Sequence, residues 1–333
     1  MTHAVHGRRV LVTGVSGFLG SQVAAALLDG GARVRGTART PPPAFTGTID
    51  IVHADLVRAE DWRGAVDACD VVVHTASPYA LDVTDAQRDL VDPAVNGTLN
   101  VLRACAAAPT VTRVVLTSSM AAITDEPPRA HTLTEDDWNT ASTLTRNPYY
   151  LSKTLAERAA WEFMARERPH FSLVVINPFL VIGPSLVPTL NVSNQIFVDL
   201  LKGVYPGIIG LGWGVVDVRD AADAHVRAMT TPTASGRYIC AGDVMSMRDV
   251  VTFLRANGWA AGHKLPSVPL PAVIVKLASF LQKPGVGQYL RTHVGRVPRY
   301  CNVKIRRELE MTFRPWQTSV ADTMADLVKW GHI

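Results

Sequence analysis

Short runs of valine, isoleucine and leucine alternate with longer stretches of helical period through the first half of this sequence. Such runs are typical of strands buried on both faces, and their alternation with helices is typical of a parallel sheet. The strand runs cover residues 9–13, 33–36, 49–53, 71–75, 111–117 and 172–177, and the helical stretches cover 18–28, 60–68, 91–107 and 149–166. We therefore predict an α/β fold built on a Rossmann-type, doubly wound parallel sheet.

The alternation weakens after about Pro178, where glycine and proline become frequent. A chain of 333 residues has room for about two domains of roughly 150 residues each. We predict that residues 1–180 form the Rossmann domain, joined by part of residues 214–245, and that residues 181–333 form mainly a smaller C-terminal substrate lobe. Residues 270–281 have an apolar helical period and would pack on that lobe or on a second subunit.

Charge, cysteine usage and hydropathy exclude several classes of protein. The net charge is +4 and the basic residues are scattered, so nothing supports nucleic-acid binding. The four cysteines are far apart and form no CxxC pair, which predicts reduced thiols and no metal site. The longest apolar run, residues 171–183, is interrupted and too short to cross a bilayer, and the first residues lack a signal-peptide core. We predict a cytoplasmic protein that does not bind a membrane.

A glycine-rich turn follows the first predicted strand directly and opens the first predicted helix. Its residues are Gly14, Ser16, Gly17, Phe18, Leu19 and Gly20, with Val15 between the first two. Glycines at this spacing permit a tight turn whose backbone N–H groups approach a pyrophosphate at the positive end of the helix dipole. An ordinary loop is the alternative, but the position in the first strand–helix turn favours a dinucleotide site.

The end of the second predicted strand indicates which dinucleotide binds. NAD-binding chains usually carry an acid there, which accepts a hydrogen bond from the ribose 2′-hydroxyl. This sequence has no acid at that point and places Arg39 there instead. A guanidinium suits a 2′-phosphate, so the pattern favours NADP(H). The alternative is that Arg39 is a solvated surface cation.

A tyrosine and a lysine four positions apart begin the last predicted helix of the first half. Tyr149 and Lys153 share one helix face, with Asn147 and Pro148 in front as the predicted N-cap and first helical residue. An ammonium close to a phenol favours the phenolate, so this tyrosine could exchange a proton with a carbonyl or an alcohol. Ser119 ends the strand at residues 111–117 and could bond a substrate oxygen, although serines there are often turn residues.

These motifs together resemble one family, the extended short-chain dehydrogenases/reductases. Within it, the sequence is similar to the group of dihydroflavonol reductase, cinnamoyl-CoA reductase and yeast-type methylglyoxal or ketone reductases. The resemblance covers nearly the whole chain. The matching segments are TGVSGFLG at 13–20, GTAR at 36–39, DL at 55–56, HTASP at 74–78, VNGT at 95–98, LTSS at 116–119, YYLSKTLAE at 149–157 and NPFLVIGP at 177–184.

The resemblance implies a role for each matching residue. Ser119, Tyr149 and Lys153 would be the catalytic set: the serine orients the carbonyl, the tyrosine is the general acid, and the lysine binds the nicotinamide ribose. Tyr150 lacks a lysine four positions on. Further cofactor contacts implied by the family are Asp55 and Leu56 at the adenine, Thr75, Ala76 and Ser77 along the cofactor, and Pro178 and Leu180 beside the nicotinamide.

The substrate region departs from the family pattern. Thr124 stands where dihydroflavonol reductases carry an asparagine that grips the flavonoid, so a flavonoid substrate is not expected. Candidate substrate contacts are Thr124, Phe179 and Trp213, with ordinary core packing as the alternative. His74 and His225 have no metal spacing and are expected to be structural.

We therefore predict an oxidoreductase, an NADP(H)-dependent ketoreductase or aldehyde reductase that converts a small-molecule carbonyl reversibly to the alcohol. Two alternatives stay open: an NAD(P)-dependent sugar-nucleotide epimerase or dehydratase, and a non-catalytic NADP-binding regulator. The first shares the glycine turn, the serine and the tyrosine–lysine pair. The sequence leaves the protein as a monomer or a homodimer.

Overall fold

The computed structural model describes residues 5–40, 45, 47–78, 83–128 and 130–333. Its strands are β1 (Arg9–Thr13), β2 (Arg33–Ala38), β3 (Asp50–His53), β4 (Val71–His74), β5 (Arg113–Thr117), β6 (Ser172–Pro178), β7 (Leu180–Ile182), β8 (Gly212–Asp217), β9 (Gly236–Cys240) and β10 (Val244–Ser246). Its α-helices are α1 (Phe18–Asp29), α2 (Glu60–Val66), α3 (Asp92–Ala107), α4 (Pro148–Glu167), α5 (Val192–Lys202), α6 (Val218–Thr230), α7 (Met247–Ala256), α8 (Ala272–Ala278), α9 (Pro284–His293), α10 (Val303–Glu308) and α11 (Trp316–Lys329).

The main sheet has seven strands in the order β3-β2-β1-β4-β5-β6-β9, and all neighbouring pairs are parallel. The chain winds outward in one direction from β1 and in the other from β4. This arrangement confirms the predicted doubly wound sheet. It also places the carboxyl ends of β1 and β4 side by side, at the point where such sheets bind ligands.

Strand β9 is the member of the sheet that the six predicted strands leave out. It begins at Gly236 and carries Arg237 as its second residue, which leaves an apolar run of only three residues, Tyr238 to Cys240. Its guanidinium is nevertheless 7% exposed, because it forms an ion pair with Glu157. This tertiary contact explains how an arginine can be buried inside the strand. It lies within residues 214–245, and the division of the chain into two domains stays a prediction.

The two faces of the main sheet bury alternate residues of each strand. Val10 and Val12 face the layer of α1 and α6, whereas Leu11 faces the layer of α2, α3 and α4. This follows from the two-residue period of a strand. Because both faces are covered, most strand residues are apolar, which is why most of the strands are recognisable in the sequence.

A second, three-stranded sheet of order β10-β8-β7 lies in the C-terminal half. It packs with α5, α7 and α11 in a separate apolar cluster that includes Phe197, Trp213 and Leu254. Residues 270–281 are helical as expected, as α8 followed by the turn Ser279–Leu281. Most of their apolar side chains are not covered: Val273 is 70% exposed and Phe280 is 71% exposed.

Two further properties concern the whole described chain. Among the residues that the structure describes, no helix combines the length and the apolar character needed to cross a bilayer. The four cysteines are all free: Cys69, Cys105 and Cys240 are buried, and Cys301 is partly exposed. Burial raises the thiol pKa of the three buried cysteines above its usual value.

We predict that native protein exposes one reactive thiol and that denatured, unreduced protein exposes four. Cys301 should react first with a thiol reagent, because the thiolate is the nucleophile and the other three thiols are buried in their protonated form. The measurement is a timed colorimetric thiol titration with and without denaturant. A non-reducing mass that shows an intramolecular bridge would contradict the prediction.

Candidate active site

The glycine turn lies between β1 and α1, at the carboxyl edge of the main sheet. Gly14 has φ +70, and a Cβ there would lie 3.1 Å from the Cα of Ala76. A Cβ at Gly20 would overlap the carbonyl oxygen of Gly14. Helix α1 begins after Gly17, and no side chain caps its first turn. The N-terminal N–H groups of the helix are thus open to an anion, and this cradle fits the pyrophosphate of a dinucleotide.

Arg39 follows β2 and is exposed. Within the part of the chain that the structure describes, no hydrogen bond or ion pair holds its guanidinium. By contrast, the guanidinium of Arg35, inside β2, binds the Asp50 carboxylate at 2.7 Å. Arg39 is therefore free to bind a ligand phosphate. The proline run that follows lies outside the described residues.

The other predicted cofactor contacts line the same edge. Thr75 Oγ1 donates to the carbonyl oxygen of Thr13 at 2.5 Å, and the backbone N–H of Ala76 donates to Thr13 Oγ1 at 3.0 Å, so the ends of β1 and β4 are tied together. Asn100 of α3 donates to the carbonyl oxygen of Leu56 at 2.9 Å and holds the predicted adenine segment. The sequence analysis did not single out Asn100, although it lies just after the matching VNGT segment.

The predicted catalytic residues come from β5 and α4. Lys153 Nζ lies 5.9 Å from the centre of the Tyr149 ring, so the two side chains share one helix face as expected. Ser119 follows β5, and its Oγ accepts a hydrogen bond at 3.1 Å from the backbone N–H of Ala121, which starts the short helical turn Met120–Ala122. No described group accepts the proton of the Ser119 hydroxyl. That proton is available to a substrate oxygen.

Lys153 is buried, at 8% exposed. Burial lowers the pKa of its ammonium to about 8, and the negative charge of Glu157 opposes this shift. No hydrogen bond or ion pair with any described residue satisfies Nζ. The lysine borders a small cavity that Ala76, Ser77 and Ser118 also line. A buried ammonium with unused donors beside the glycine turn fits the hydroxyl groups of a cofactor ribose.

Glu157 lies one helical turn after the lysine and was not assigned a role from the sequence. Its side chain is fully buried and accepts hydrogen bonds from Ser118, Asn177, Trp161 and Arg237. Its spacing from Lys153 is the signal that could have identified it, because both residues lie on the inner face of α4. No sequence signal marks Arg237.

The beginning of α4 differs from the sequence prediction in one respect. Asn147 precedes the helix as expected, but it has φ +49 and its side chain does not cap the helix. The amide instead donates to Asp125 Oδ1 at 3.0 Å, and Arg146 also binds that carboxylate, at 2.6 Å. The Asn147 side chain is drawn away from the helix because a buried carboxylate needs donors.

His74 and His225 are both buried and hydrogen-bonded. His74 Nδ1 lies 2.8 Å from Thr13 Oγ1. His225 Nδ1 donates to the carbonyl oxygen of Ala221 at 2.7 Å, and its Nε2 lies 2.7 Å from Thr117 Oγ1. Burial lowers the imidazole pKa of His74 to about 3 and that of His225 to about 4. Both are neutral at pH 7, and the described residues contain no cluster of potential metal ligands. This geometry fits structural histidines.

The candidate substrate contacts are partly occupied by the protein itself. Thr124 Oγ1 donates to the carbonyl oxygen of Glu126 at 2.6 Å. The rings of Phe179 and Tyr300 are 5.2 Å apart. Trp213 is 7% exposed and donates through Nε1 to the hydroxyl oxygen of Tyr289 at 2.9 Å. Packing therefore explains much of what these side chains do, and their contact with a substrate stays a prediction.

A histidine of α9 approaches the site without having been predicted. The His293 ring stacks on that of Tyr289, with 4.0 Å between the ring centres. Its Nε2 lies 3.4 Å from the hydroxyl oxygen of Tyr150, the neighbour of Tyr149. Nothing in the sequence links α9 to α4, because only the packing of the C-terminal half brings them together.

Comparison with known proteins places the chain in a family. The family described as "NAD dependent epimerase/dehydratase family" matches residues 10–241, and the chain belongs to it. Cinnamoyl-CoA reductase 1 of Petunia hybrida is 36% identical over 99% of this chain and 95% of its own length. A ketoreductase of Aspergillus niger is 33% identical over 97% of this chain and 98% of its own.

A solved structure gives the same result. Yeast methylglyoxal/isovaleraldehyde reductase, crystallised with NADPH, superposes with a TM-score of 0.80 at 30% identity and covers 98% of this chain and 100% of its own. These comparisons confirm the predicted extended short-chain dehydrogenase/reductase family. They also confirm an oxidoreductase that uses NADP(H) and acts on carbonyl groups, and they support the epimerase alternative less.

The buried histidines generate a prediction for stability. The imidazole of His225 has a pKa of about 6.5 in the unfolded chain and about 4 in the folded one. As the pH falls below 6.5, the unfolded chain binds a proton there that the folded chain does not, so the contribution to stability is complete above pH 6.5 and is lost toward pH 4. Between pH 7 and pH 5 this histidine should account for about 2 kcal/mol of the loss in unfolding free energy.

The measurement is urea unfolding at pH 7 and pH 5. His225→Gln should be less stable at pH 7 but should lose about 2 kcal/mol less than wild type on acidification. His53→Gln, at an exposed position, should match the wild-type pH dependence. Equal pH dependence in wild type and His225→Gln would contradict a neutral buried imidazole.

Proposed function

We propose that this protein reduces an aldehyde or ketone with Tyr149 as the general acid, Ser119 as the carbonyl-orienting donor and Lys153 as the cofactor-binding cation. One observation carries the proposal. A buried, hydrogen-bond-free ammonium at Lys153 shares a helix face with Tyr149 and borders the same edge of the sheet as the glycine turn. A buried charge is costly unless a ligand or a partner meets it.

The residues that would hold the cofactor lie along the carboxyl edge of the main sheet. The glycine turn and the first turn of α1 would bind the pyrophosphate, Arg39 the 2′-phosphate, and Lys153 the nicotinamide ribose. Asp55 and Leu56 would contact the adenine, Thr75 to Ser77 would line the cofactor, and Pro178 and Leu180 would lie beside the nicotinamide. When bound, NADPH supplies the hydride.

The chain itself handles the proton. The Ser119 hydroxyl donates to the carbonyl oxygen and fixes its position, since no described group competes for that proton. The Tyr149 phenol donates the proton that converts the nascent alkoxide to the alcohol. The Lys153 ammonium stabilises the phenolate left behind, because an opposite charge close by favours the ionised form. In the reverse direction the same phenolate accepts the proton.

The proposal also covers the compartment, the substrate class and the oligomeric state. Four unbridged cysteines support a reducing, cytoplasmic compartment. The substrate is a small-molecule carbonyl, with Thr124, Phe179 and Trp213 as candidate contacts, and the protein acts as a monomer or a homodimer. Turnover of NADPH with a panel of aldehydes and ketones would exclude a non-catalytic regulator, and the absence of turnover with sugar nucleotides would exclude an epimerase.

Tyr149→Phe keeps the ring but removes the proton that reaches the alkoxide. Turnover should fall by roughly 10²–10⁴-fold, the usual contribution of general acid catalysis, while NADPH binding stays nearly unchanged. Steady-state kinetics and NADPH fluorescence titration give the two values.

Lys153→Met should lose turnover and also bind NADPH more weakly. Ser119→Ala should lose less turnover than either if water replaces the hydroxyl.

The matched control is Tyr150→Phe, since Tyr150 has no lysine four positions on. It should retain most of the turnover. Full activity in Tyr149→Phe together with an inactive Tyr150→Phe would show that the catalytic tyrosine is assigned wrongly.

Arg39→Ala should discriminate between the two nicotinamide cofactors. The KM for NADPH should rise by about one to two decades, because a charge-assisted contact is worth about 1.5–3 kcal/mol, and the KM for NADH should change little. Arg33→Ala removes the same charge from the exposed opposite end of β2 and should leave both values unchanged. Equal effects of Arg39→Ala on NADPH and NADH would refute the assignment.

A further inference from the structure

The carboxylate of Glu157 is the most completely buried charged group beside the candidate catalytic residues. Its side chain is 0% exposed, and it lies on α4 one helical turn after Lys153. The proposed chemistry gives it no role. A buried carboxylate carries a large desolvation penalty, so the fold must provide partners for it.

Those partners come from four different elements. Glu157 accepts from Ser118 Oγ after β5 at 2.5 Å, from Asn177 Nδ2 of β6 at 2.7 Å, and from Trp161 Nε1 of α4 at 3.2 Å. Arg237 Nε of β9 donates to it at 2.5 Å. Every partner is a donor, and this donor set fits an ionised carboxylate.

Two of the partners lead directly to Ser119. Ser118 is its neighbour in the chain, and Asn177 Nδ2 also donates to the carbonyl oxygen of Ser119 at 3.2 Å. The length of the Glu157 side chain therefore sets the distance between α4 and the end of β5, and so the position of Ser119. A shift of one methylene group at Glu157 would shift that strand end relative to α4.

The charge of Glu157 acts on a different residue. Glu157 and Lys153 lie one helical turn apart on α4 and line the same small cavity, and the carboxylate opposes the lowering of the Lys153 pKa that burial causes. From β4, His74 also faces this lysine and is neutral at pH 7. From β9, Arg237 faces the carboxylate and is held by the ring of Trp138 at 3.8 Å, against which Arg158 of α4 also lies at 4.9 Å. The row of charges thus alternates in sign: Lys153, Glu157, Arg237.

We propose that Glu157 is a positioning residue of the reductase, which keeps the Lys153 ammonium charged through its negative charge and places Ser119 through its length. The proposal rests on the proposed function of Lys153 and Ser119. The charge and the length of the Glu157 side chain have separate effects. The protonation of Lys153 depends on the charge of Glu157, and the position of Ser119 depends on the length of the Glu157 side chain. Arg237 pairs with the Glu157 carboxylate, so removing its guanidinium should leave more of that negative charge to act on Lys153.

The test uses three substitutions that change charge and length independently. Glu157→Gln removes the charge and keeps the length, Glu157→Asp keeps the charge and shortens the reach, and Arg237→Gln removes the opposing charge. Glu162→Gln is the matched control, because it removes a carboxylate from an exposed position of the same helix. That position is about 13 Å along the helix from Lys153, beyond the Debye length at physiological salt.

Two quantities are measured for each folded variant. The first is the pKa of Lys153 in the cofactor-free protein, from the pH dependence of its ¹³Cε resonance, assigned by its loss in Lys153→Met. The second is the alkaline limb of the pH–kcat profile with NADPH. Thermal melts identify a variant that does not fold. If Glu157→Gln fails to fold, the opposite shift expected for Arg237→Gln still decides the matter.

Glu157→Gln should lower the Lys153 pKa and move the alkaline limb to lower pH by at least about 0.5 unit, because a cation loses a nearby negative charge. Arg237→Gln should move both to higher pH by a smaller amount, because Arg237 acts on Lys153 through the Glu157 carboxylate with which it pairs. Glu157→Asp should leave both within about 0.2 unit of wild type and should lower kcat about tenfold. Glu162→Gln should match wild type throughout.

Shifts of the same sign in Glu157→Gln and Arg237→Gln, or no shift in either, would overturn the proposal, since a purely structural role predicts loss of stability without opposite titration shifts. An unchanged kcat in Glu157→Asp would overturn the part that concerns Ser119. Failure of the proposed function itself is distinguishable, because it would leave wild type inactive with NADPH and Tyr149→Phe equal to it.

Discussion

A buried ion pair joins the helix that carries the candidate catalytic residues to the last strand of the main sheet. Glu157 of α4 and Arg237 of β9 lie 2.5 Å apart, and neither is exposed by more than 7%. Breaking such a pair by removal of one partner typically costs about 3–5 kcal/mol, because the remaining charge stays buried. The same carboxylate accepts from Ser118 after β5 and from Asn177 of β6, so Glu157 ties α4 to three strands of the sheet, and Tyr149 and Lys153 lie on that helix.

The rest of the site is assembled by the winding of the sheet. Parallel strands end at one edge, and the reversal between β1 and β4 opens a crevice there into which the glycine turn points. Thr13 binds both Thr75 and Ala76 and so closes the gap between these two strands by hydrogen bonds. The turn itself cannot accept side chains at Gly14 or Gly20, since a Cβ at either would meet backbone. The glycine turn and the start of α4 therefore meet at one edge for topological reasons.

The C-terminal half adds the part of the site that differs most from what motifs predict. Trp213, Tyr289 and His293 form a connected wall that reaches Tyr150, and these residues lie on β8, α9 and α4. Trp213 was a candidate substrate contact, yet its indole N–H is already bound within the protein. Pocket shape, more than a shared catalytic set, decides which carbonyl compound a reductase accepts, and contact of these residues with a substrate is part of the proposal.

The sequence by itself determined the elements whose physics is local. Strands buried on both faces are mainly apolar, so six of the seven strands of the main sheet, β1 to β6, are visible as short apolar runs. The Gly14–Gly20 turn and the Tyr149–Lys153 spacing depend only on near neighbours in the chain. Only the tertiary structure decided the rest. β9 can bury Arg237 because the guanidinium pairs with Glu157 of α4. The Asn147 side chain binds Asp125 and does not cap α4, and His293 reaches Tyr150 through the packing of α9. Each of these depends on pairing between residues far apart in sequence, and such pairing leaves no periodic pattern, because the free energy of a buried polar group is set by the partner it meets and not by its neighbours in the chain.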